Sequence, residues 1–189
     1  MKKWFTADWH LGDNRIGIDN MPNLFYRYFD SLEHQQSSIL TNFVNSGFKN
    51  GDTLYHLGDV LFKDDEKSLK ALDYLRNKYP SSKFKLTIGN YDEDKLFLLD
   101  GFFDDIMTDY MVELEKGTIA YLNHYPVKCR EKMDLAKFGV TGHIHGLWKV
   151  KEDMINVGVD AWHFRPVSED QILFCWNAMQ KFYDENVFL

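Results

Sequence analysis

The feature that most constrains the fold is the dipeptide Gly58-Asp59, which closes a short apolar stretch at residues 53–57. Such a stretch is typical of a buried strand, and α/β sheets place functional groups at the carboxyl ends of their strands. Gly-Asp is also common in ordinary turns, so the dipeptide alone says little. It becomes informative because polar side chains follow other apolar stretches in the same way: Asp8, His10, Asn90, His124, His143 and His145. We therefore expect these side chains to meet at one edge of the fold.

Strands and helices alternate in the first half of the chain. The pattern predicts strands at residues 3–7, 53–57 and 84–88, separated by amphipathic helices over 29–44 and 64–79. Glycine, asparagine and proline within residues 14–23 predict an irregular connection there. This order indicates a layered α/β unit with parallel strands.

The second half of the chain is predicted to consist mainly of strands. Residues 106–114 and 118–123 flank a turn and predict a β-hairpin, and further strands are expected at 139–141, 147–150 and 154–157. A final helix is predicted after Pro166, with Ser168 and Gln171 forming a capping box. We expect this half to form a second sheet packed on the first, within a single domain of residues 1–189.

Composition narrows the class of protein. Of the 189 residues, 44% are hydrophobic, which is enough for a sizeable core. The 29 acidic and 22 basic residues give a net charge of −7, so duplex DNA is not an expected partner. The two cysteines form no bridge framework, and neither a signal peptide nor a membrane span is evident. We therefore expect a cytoplasmic protein with no membrane partner, and the sequence leaves the oligomeric state open.

The polar residues at the strand ends form a metal-ligand set. They are two aspartates, one asparagine and four histidines: Asp8, His10, Asp59, Asn90, His124, His143 and His145. Oxygen and imidazole donors without thiolates suit Mn, Fe, Zn, Co or Ni. One carboxylate, expected at Asp59, can bridge two divalent ions roughly 3.5–4 Å apart, and such ions hold a bridging hydroxide for in-line attack on phosphorus. The glycines that flank residues 143–145 permit an irregular loop, so that the two histidines can serve neighbouring ions.

The order of these blocks resembles the calcineurin-like metallophosphoesterase superfamily. The matching motifs are Asp8-x-His10, Gly58-Asp59, Gly89-Asn90-x-Asp92, His124 and Gly142-His143-x-His145. Together with residues 156–160 they are also similar to a small subgroup of bacterial and phage phosphoesterases. The resemblance implies an α/β fold, a four-layer α-β-β-α sandwich of two mixed sheets flanked by helices.

The resemblance also divides the ligands between two divalent metal ions, for which Mn is the preferred choice. It implies a first site formed by Asp8, His10, Asp59 and His145. It implies a second site formed by Asp59, Asn90, His124 and His143. Asp59 and His143 are therefore expected to take part in catalysis as well as in metal binding.

Residue 91 departs from the family pattern. The family has a histidine at this position, which protonates the leaving oxygen and is oriented by the next acidic residue; this chain has Tyr91 followed by Asp92. A phenol donates hydrogen bonds but is a poor general acid near neutral pH, and loss of a positioned acid typically costs about 10²–10⁴-fold. We therefore expect a dimetal phosphoesterase that prefers phosphodiesters, with Tyr91 and Asp92 as catalytic candidates.

The substrate is expected to be small and phosphorylated, for example a nucleotide. Arg15 and Arg27 lie in or beside the irregular segment, where a guanidinium could clamp a phosphate, although a solvated arginine is the commoner role. Trp9 lies between two predicted ligands and is expected to contact substrate, whereas His56 is expected in the core or in support of the site. Two alternatives remain: a nuclease for short single-stranded nucleic acid, and a catalytically weak metal-binding scaffold.

Overall fold

The computed structural model describes residues 1–15, 27 and 29–182, so most of the predicted irregular connection over 14–23 lies outside the described residues. The described residues contain ten strands and five α-helices. The strands are β1 Lys3–Thr6, β2 Thr53–His56, β3 Lys83–Thr87, β4 Asp105–Met107, β5 Asp109–Glu113, β6 Ile119–Asn123, β7 Phe138–Thr141, β8 Val150–Lys151, β9 Met154–Asn156 and β10 Val167–Ser168. The helices are α1 Leu32–Val44, α2 Glu66–Lys78, α3 Leu96–Leu99, α4 Pro126–Glu131 and α5 Glu169–Phe182.

The strands form two five-stranded mixed sheets. The first has the order β10-β1-β2-β3-β4, in which β1 to β4 are parallel and β10 is antiparallel. The second has the order β5-β6-β7-β9-β8, with β6, β7 and β9 parallel and the two edge strands antiparallel. The predicted α/β fold of two mixed sheets is confirmed.

Side-chain alternation along the strands builds four layers. In β1, Trp4 packs with α1 and α2 on one face of the first sheet, while Phe5 packs between the sheets. In β6, Leu122 faces the same intersheet core, while Tyr121 packs with Cys129 of α4 on the outer face. The layers are thus α1 and α2, the first sheet, the second sheet and α4. Each fully buried large apolar side chain in these layers contributes about 1.5–3 kcal/mol to folding.

Side-chain caps mark the starts of two helices. Asp65 caps α2 by accepting a hydrogen bond from the Ser68 amide. At α5, Ser168 and Gln171 exchange hydrogen bonds between side chains and backbone amides, which confirms the capping box. No helix among the described residues is both long enough and apolar enough to cross a bilayer.

One strand prediction was wrong. Residues 106–114 are not a single hairpin arm, because β4 belongs to the first sheet and β5 to the second, with Thr108 between them. Ile106 of β4 packs toward the helices and Val112 of β5 packs between the sheets, so the two strands contribute to different hydrophobic cores. The hairpin between β5 and β6 is confirmed. The two-residue strand β10 and the short helices α3 and α4 were not predicted.

Candidate metal centre

The predicted ligands come together where five parallel strands end. In-register pairing of β1, β2 and β3 brings their carboxyl ends to one edge, and β6 and β7 end beside them in the second sheet. The loops are tied by backbone hydrogen bonds, such as the Asp8 amide to the Gly58 carbonyl at 3.0 Å and the Gly142 amide to the His124 carbonyl at 3.2 Å. Both sheets therefore contribute side chains to one centre.

The loops of this centre hold non-glycine residues in the left-handed region. The residues and their φ angles are Asp8 59°, His10 46°, Asp59 60°, His143 73° and His145 50°. Each such conformation costs on the order of 1–3 kcal/mol and persists only where the surroundings enforce it. Five of them in one centre indicate that the loops are shaped to aim these side chains.

The first cluster consists of Asp8, His10 and His145, whose ligand atoms lie within 4.8 Å of one another. The Asp8 carboxylate accepts the His143 amide at 3.0 Å, which fixes its direction. Among the described residues, neither ring nitrogen of the buried His10 has a hydrogen-bond partner. Burial also holds the pKa of His10 well below its usual value, so the ring is neutral and a lone pair is free.

A buried carboxylate orients His145. Its Nδ1 lies 3.0 Å from Asp160 Oδ2 and donates its hydrogen to it, which leaves Nε2 as the ligand atom. Arg27 pairs with both Asp160 oxygens at 2.7 and 2.8 Å and also donates to the Trp9 carbonyl at 3.0 Å. Burial alone would raise the pKa of Asp160, but Arg27 and His145 hold it below its usual value, so Asp160 stays charged.

The second cluster consists of Asp59, His124 and His143, again with ligand atoms within 4.8 Å. His124 Nδ1 lies 2.7 Å from the Leu57 carbonyl and must donate to it, so Nε2 faces the cluster. Asn90 Oδ1 lies 3.2 Å from that Nε2 and 3.1 Å from His143 Nδ1. Asn90 thus lies at the second cluster, and its role as a metal ligand stays a prediction.

Asp59 lies between the two clusters. Its Oδ2 is 3.3 Å from His10 Nε2 and 3.5 Å from His124 Nε2, while Oδ1 accepts the Tyr91 amide at 3.0 Å. Burial opposes ionisation of Asp59, but the hydrogen bond and charge of His124 lower its pKa to about 2. Conversely, although burial would lower the pKa of His124, Asp59 and Asp8 raise it to about 9. The site thus attracts positive charge.

These features fit divalent cations. Carboxylate, amide and imidazole ligand atoms converge from two directions on Asp59, and neither ring nitrogen of His10 has a hydrogen-bond partner among the described residues. The donor set contains no thiolate, which suits Mn, Fe, Zn, Co or Ni. The division into two clusters follows the expected one, and the assignment of individual ligands stays a prediction.

Close packing around Asp59 requires two glycines. A Cβ on Gly58, which has a φ of +90°, would lie 2.5 Å from His124 Nδ1. A Cβ on Gly89 would lie 2.3 Å from Asp59 Oδ1. The Gly-Asp and Gly-Asn pairs are therefore needed because two loop backbones pass directly behind the ligands.

Three site predictions need correction. Trp9 is only 1% exposed, because its ring packs on Phe43 and His56, so it does not contact substrate. Arg27 is buried against Asp160 and is not a phosphate clamp. Asp92 does not orient Tyr91.

Instead, the Asp92 carboxylate accepts the amides of Asp59, Val60 and Gly89 at 2.8–2.9 Å. It therefore fixes the loop that carries Asp59 rather than acting in catalysis. His56 is buried, as expected.

Arg15 and Tyr91 lie together at the rim of the centre. Arg15 Nε and Nη2 donate to Asp13 Oδ1 and Oδ2 at 2.9 and 2.8 Å. The guanidinium nitrogens that were expected to bind a phosphate are therefore already hydrogen-bonded. Its hydrogen bond to Asp13 and its interaction with Tyr91 raise the pKa of Arg15. The Tyr91 ring meets the His10 ring edge-to-face at 4.9 Å. Both side chains therefore stay candidates for contact with substrate.

Two supporting residues were not predicted. Asp160 orients His145, and Asn156 donates to the His145 and Trp148 carbonyls while accepting the Gly158 amide at 2.8 Å. Both residues lie in the segment 156–160, which the sequence analysis used only as part of the family resemblance. Their polar side chains within this otherwise apolar segment were the sequence feature that could have indicated a supporting role.

Known proteins resemble this chain to different extents. No protein-family model matches it. A TPR repeat-containing protein of Methanocaldococcus jannaschii is 29% identical over 139 residues, which cover 71% of this chain but only 23% of that protein. The chain therefore corresponds to less than a quarter of this curated relative.

A solved structure supports the fold. A protein of unknown function from Aquifex aeolicus superposes with a TM-score of 0.70 and 26% identity, over 92% of this chain and 98% of that one. A novel archaeal phosphodiesterase matches with a TM-score of 0.49 and 18% identity, covering 84% and 82% of the two chains. Nuclease MPE of Pseudomonas putida matches with 0.47 and 17%, covering 76% and 60%. These last two matches do not define an activity for this chain.

Proposed function

We propose that this chain is a metal-dependent phosphoester hydrolase of the calcineurin-like type that acts on phosphodiesters. The observation that carries the proposal is the position of Asp59, whose Oδ2 lies 3.3 and 3.5 Å from histidine nitrogens of two separate clusters. A single carboxylate between two such sets is suited to two divalent cations, with Mn²⁺ the preferred choice. Cations held there would activate water for attack on phosphorus and neutralise phosphoryl oxygens.

The protein groups have distinct roles in this proposal. Asp59 joins the clusters, and its backbone is held by Asp92. His143 is exposed beside the second cluster, so its ring can also stabilise charge on a phosphoryl oxygen. Tyr91 lies on the side of the first cluster and is a hydrogen-bond donor for an ester oxygen.

Cytoplasmic location and a single domain over residues 1–189 stay predictions.

Metal content and substrate preference test the proposal. Protein reconstituted with Mn²⁺ and desalted should contain close to two ions per chain by elemental analysis. With Mn²⁺, bis(p-nitrophenyl) phosphate should be hydrolysed faster than p-nitrophenyl phosphate. A chain that binds almost no metal would refute the enzyme, and an equal or faster monoester rate would refute the diester preference.

A matched pair of variants checks that the activity belongs to this site. Asp59→Asn keeps the shape of the side chain but removes the shared charge, so diester hydrolysis should fall on the order of 100-fold or more. Asp73→Asn makes the same change on the exposed side of α2 and should keep the wild-type rate. Equal rates in the two variants would place the activity elsewhere.

A further inference from the structure

Three flat side chains form a continuous wall beside the first cluster. The wall begins at Tyr91, whose ring lies 4.9 Å from that of His10. Phe62 follows at 5.3 Å from Tyr91, and the guanidinium carbon of Arg15 lies 4.1 Å from the Phe62 ring centroid. All three side chains are partly exposed. We call this surface the Tyr91 wall.

The Tyr91 wall offers aromatic and guanidinium planes rather than a net charge. Asp13 is buried and pairs with Arg15 through two hydrogen bonds, so the charge of the guanidinium is balanced within the wall. A second phosphate would have to compete with Asp13 for the same donors. An uncharged aromatic ring, by contrast, can stack on the tyrosine ring and on the guanidinium that lies over Phe62 without disturbing the pair of Arg15 and Asp13.

The wall is also held in position before any ligand arrives. Besides the two side-chain bonds, the Arg15 amide donates to Asp13 Oδ1 at 3.1 Å, and the Tyr91 amide donates to Asp59 Oδ1 at 3.0 Å. Groups that are already ordered lose little conformational entropy on binding, which favours their use for recognition. The bond from Tyr91 to Asp59 also fixes the wall relative to the centre between the clusters.

We propose that the Tyr91 wall binds an aromatic substituent of the substrate, namely a nucleobase. The proposal rests on the proposed function, because it takes the phosphoryl group to lie at the two clusters. Tyr91 is the member of the wall that contacts His10, so a substituent that extends from the first cluster towards the wall would meet Tyr91 first. Stacking of a base on aromatic side chains should strengthen binding roughly 5- to 150-fold.

Calorimetry with two ligands tests this without turnover. Thymidine 5′-monophosphate and 2-deoxyribose 5-phosphate carry the same phosphate and differ in the base. The Mn²⁺-loaded wild-type protein should bind the nucleotide at least 5-fold more tightly. Phe62→Leu should reduce that ratio several-fold towards one while leaving the thermal midpoint near that of wild type. The control Phe97→Leu changes an aromatic side chain that is 75% exposed on α3, outside the wall, and should keep the wild-type ratio.

Each outcome decides the proposal. Equal affinities for the two ligands, or no binding of either one, would overturn it. A preference that survives Phe62→Leu would overturn it too, because the base would then be recognised elsewhere. If the protein hydrolyses bis(p-nitrophenyl) phosphate but binds the two ligands with equal affinity, the proposed function would be supported and the role of the Tyr91 wall would be contradicted. A Phe62-dependent preference without hydrolysis would support the wall and contradict the proposed function.

Discussion

At the scale of single residues, Asp160 links the candidate metal centre to the interior of the protein. Its carboxylate accepts from His145 at 3.0 Å and from Arg27 at 2.7 and 2.8 Å, and the side chains of both Asp160 and Arg27 are 1% exposed. The pair thus balances a buried charge and sets the tautomer of a candidate ligand at the same time. Removing the charge of Asp160 should therefore affect both stability and metal binding.

Asp160→Asn should lower Mn²⁺ affinity about 10- to 100-fold, because His145 loses its carboxylate partner. It should also destabilise the fold by about 3–5 kcal/mol, because Arg27 is left as an unbalanced buried charge. Metal titration by calorimetry and denaturant unfolding measure the two effects. Asp170→Asn, which removes an exposed pair with Lys2, is the control and should change neither quantity measurably. Wild-type affinity in Asp160→Asn would contradict the role given to Asp160.

The sequence predicted which residues gather at the centre but not what each one contacts. All seven ligand candidates follow strands, and parallel pairing brings those of each sheet to the same edge of that sheet. The partner of Arg27 could not be predicted, because Asp160 is 133 positions away along the chain. Nor could the burial of Trp9, because the direction of a side chain in a left-handed loop does not follow strand alternation. Contacts of this kind depend on tertiary packing.

At the scale of elements, the turn after β2 shows how closely two loops pack. Gly58 and Gly51 both have positive φ, at +90° and +98°. A Cβ at Gly58 would meet His124 Nδ1 at 2.5 Å, whereas one at Gly51 would meet nothing within 4 Å. Alanine substitutions at the two positions therefore distinguish the cost of backbone strain from the cost of a steric clash.

Gly51→Ala should cost only the left-handed strain, about 1–2 kcal/mol. Gly58→Ala should cost more than this, because His124 or the Gly89 backbone must also move, and it should weaken Mn²⁺ binding by displacing the His124 ring. Denaturant unfolding of both variants, with metal titration, gives the comparison. The same loss of stability in both, with unchanged metal affinity, would show that the loops have room for a Cβ.

The predicted elements succeeded where the local pattern was strong. The helix α2 and the capping box of α5 were predicted because caps and apolar spacing act over a few residues. The arm over 106–114 was read as continuous because both of its halves have strand character. The break at Thr108 is set by which sheet edge is nearest, and this is a property of the whole fold.

At the scale of the whole molecule, the centre joins the two sheets. Asp8, His10, Asp59 and Asn90 come from loops of the first sheet, and His124, His143 and His145 come from loops of the second. Cations held by both sets would cross-link the layers and stabilise the folded state relative to the unfolded chain. Metal binding should therefore be visible in global unfolding as well as in activity.

Adding Mn²⁺ at about 100 times its dissociation constant should stabilise the protein by roughly 2.7 kcal/mol per site, or about 5–10 °C in thermal midpoint, and a chelator should reverse the shift. His143→Ala should lose a large part of this shift. His163→Ala should keep it, although His163 is also an exposed histidine with positive φ, at 54° against 73° for His143. Differential scanning calorimetry with and without Mn²⁺ measures all three proteins. An identical shift in both variants would mean that Mn²⁺ binds away from the second cluster.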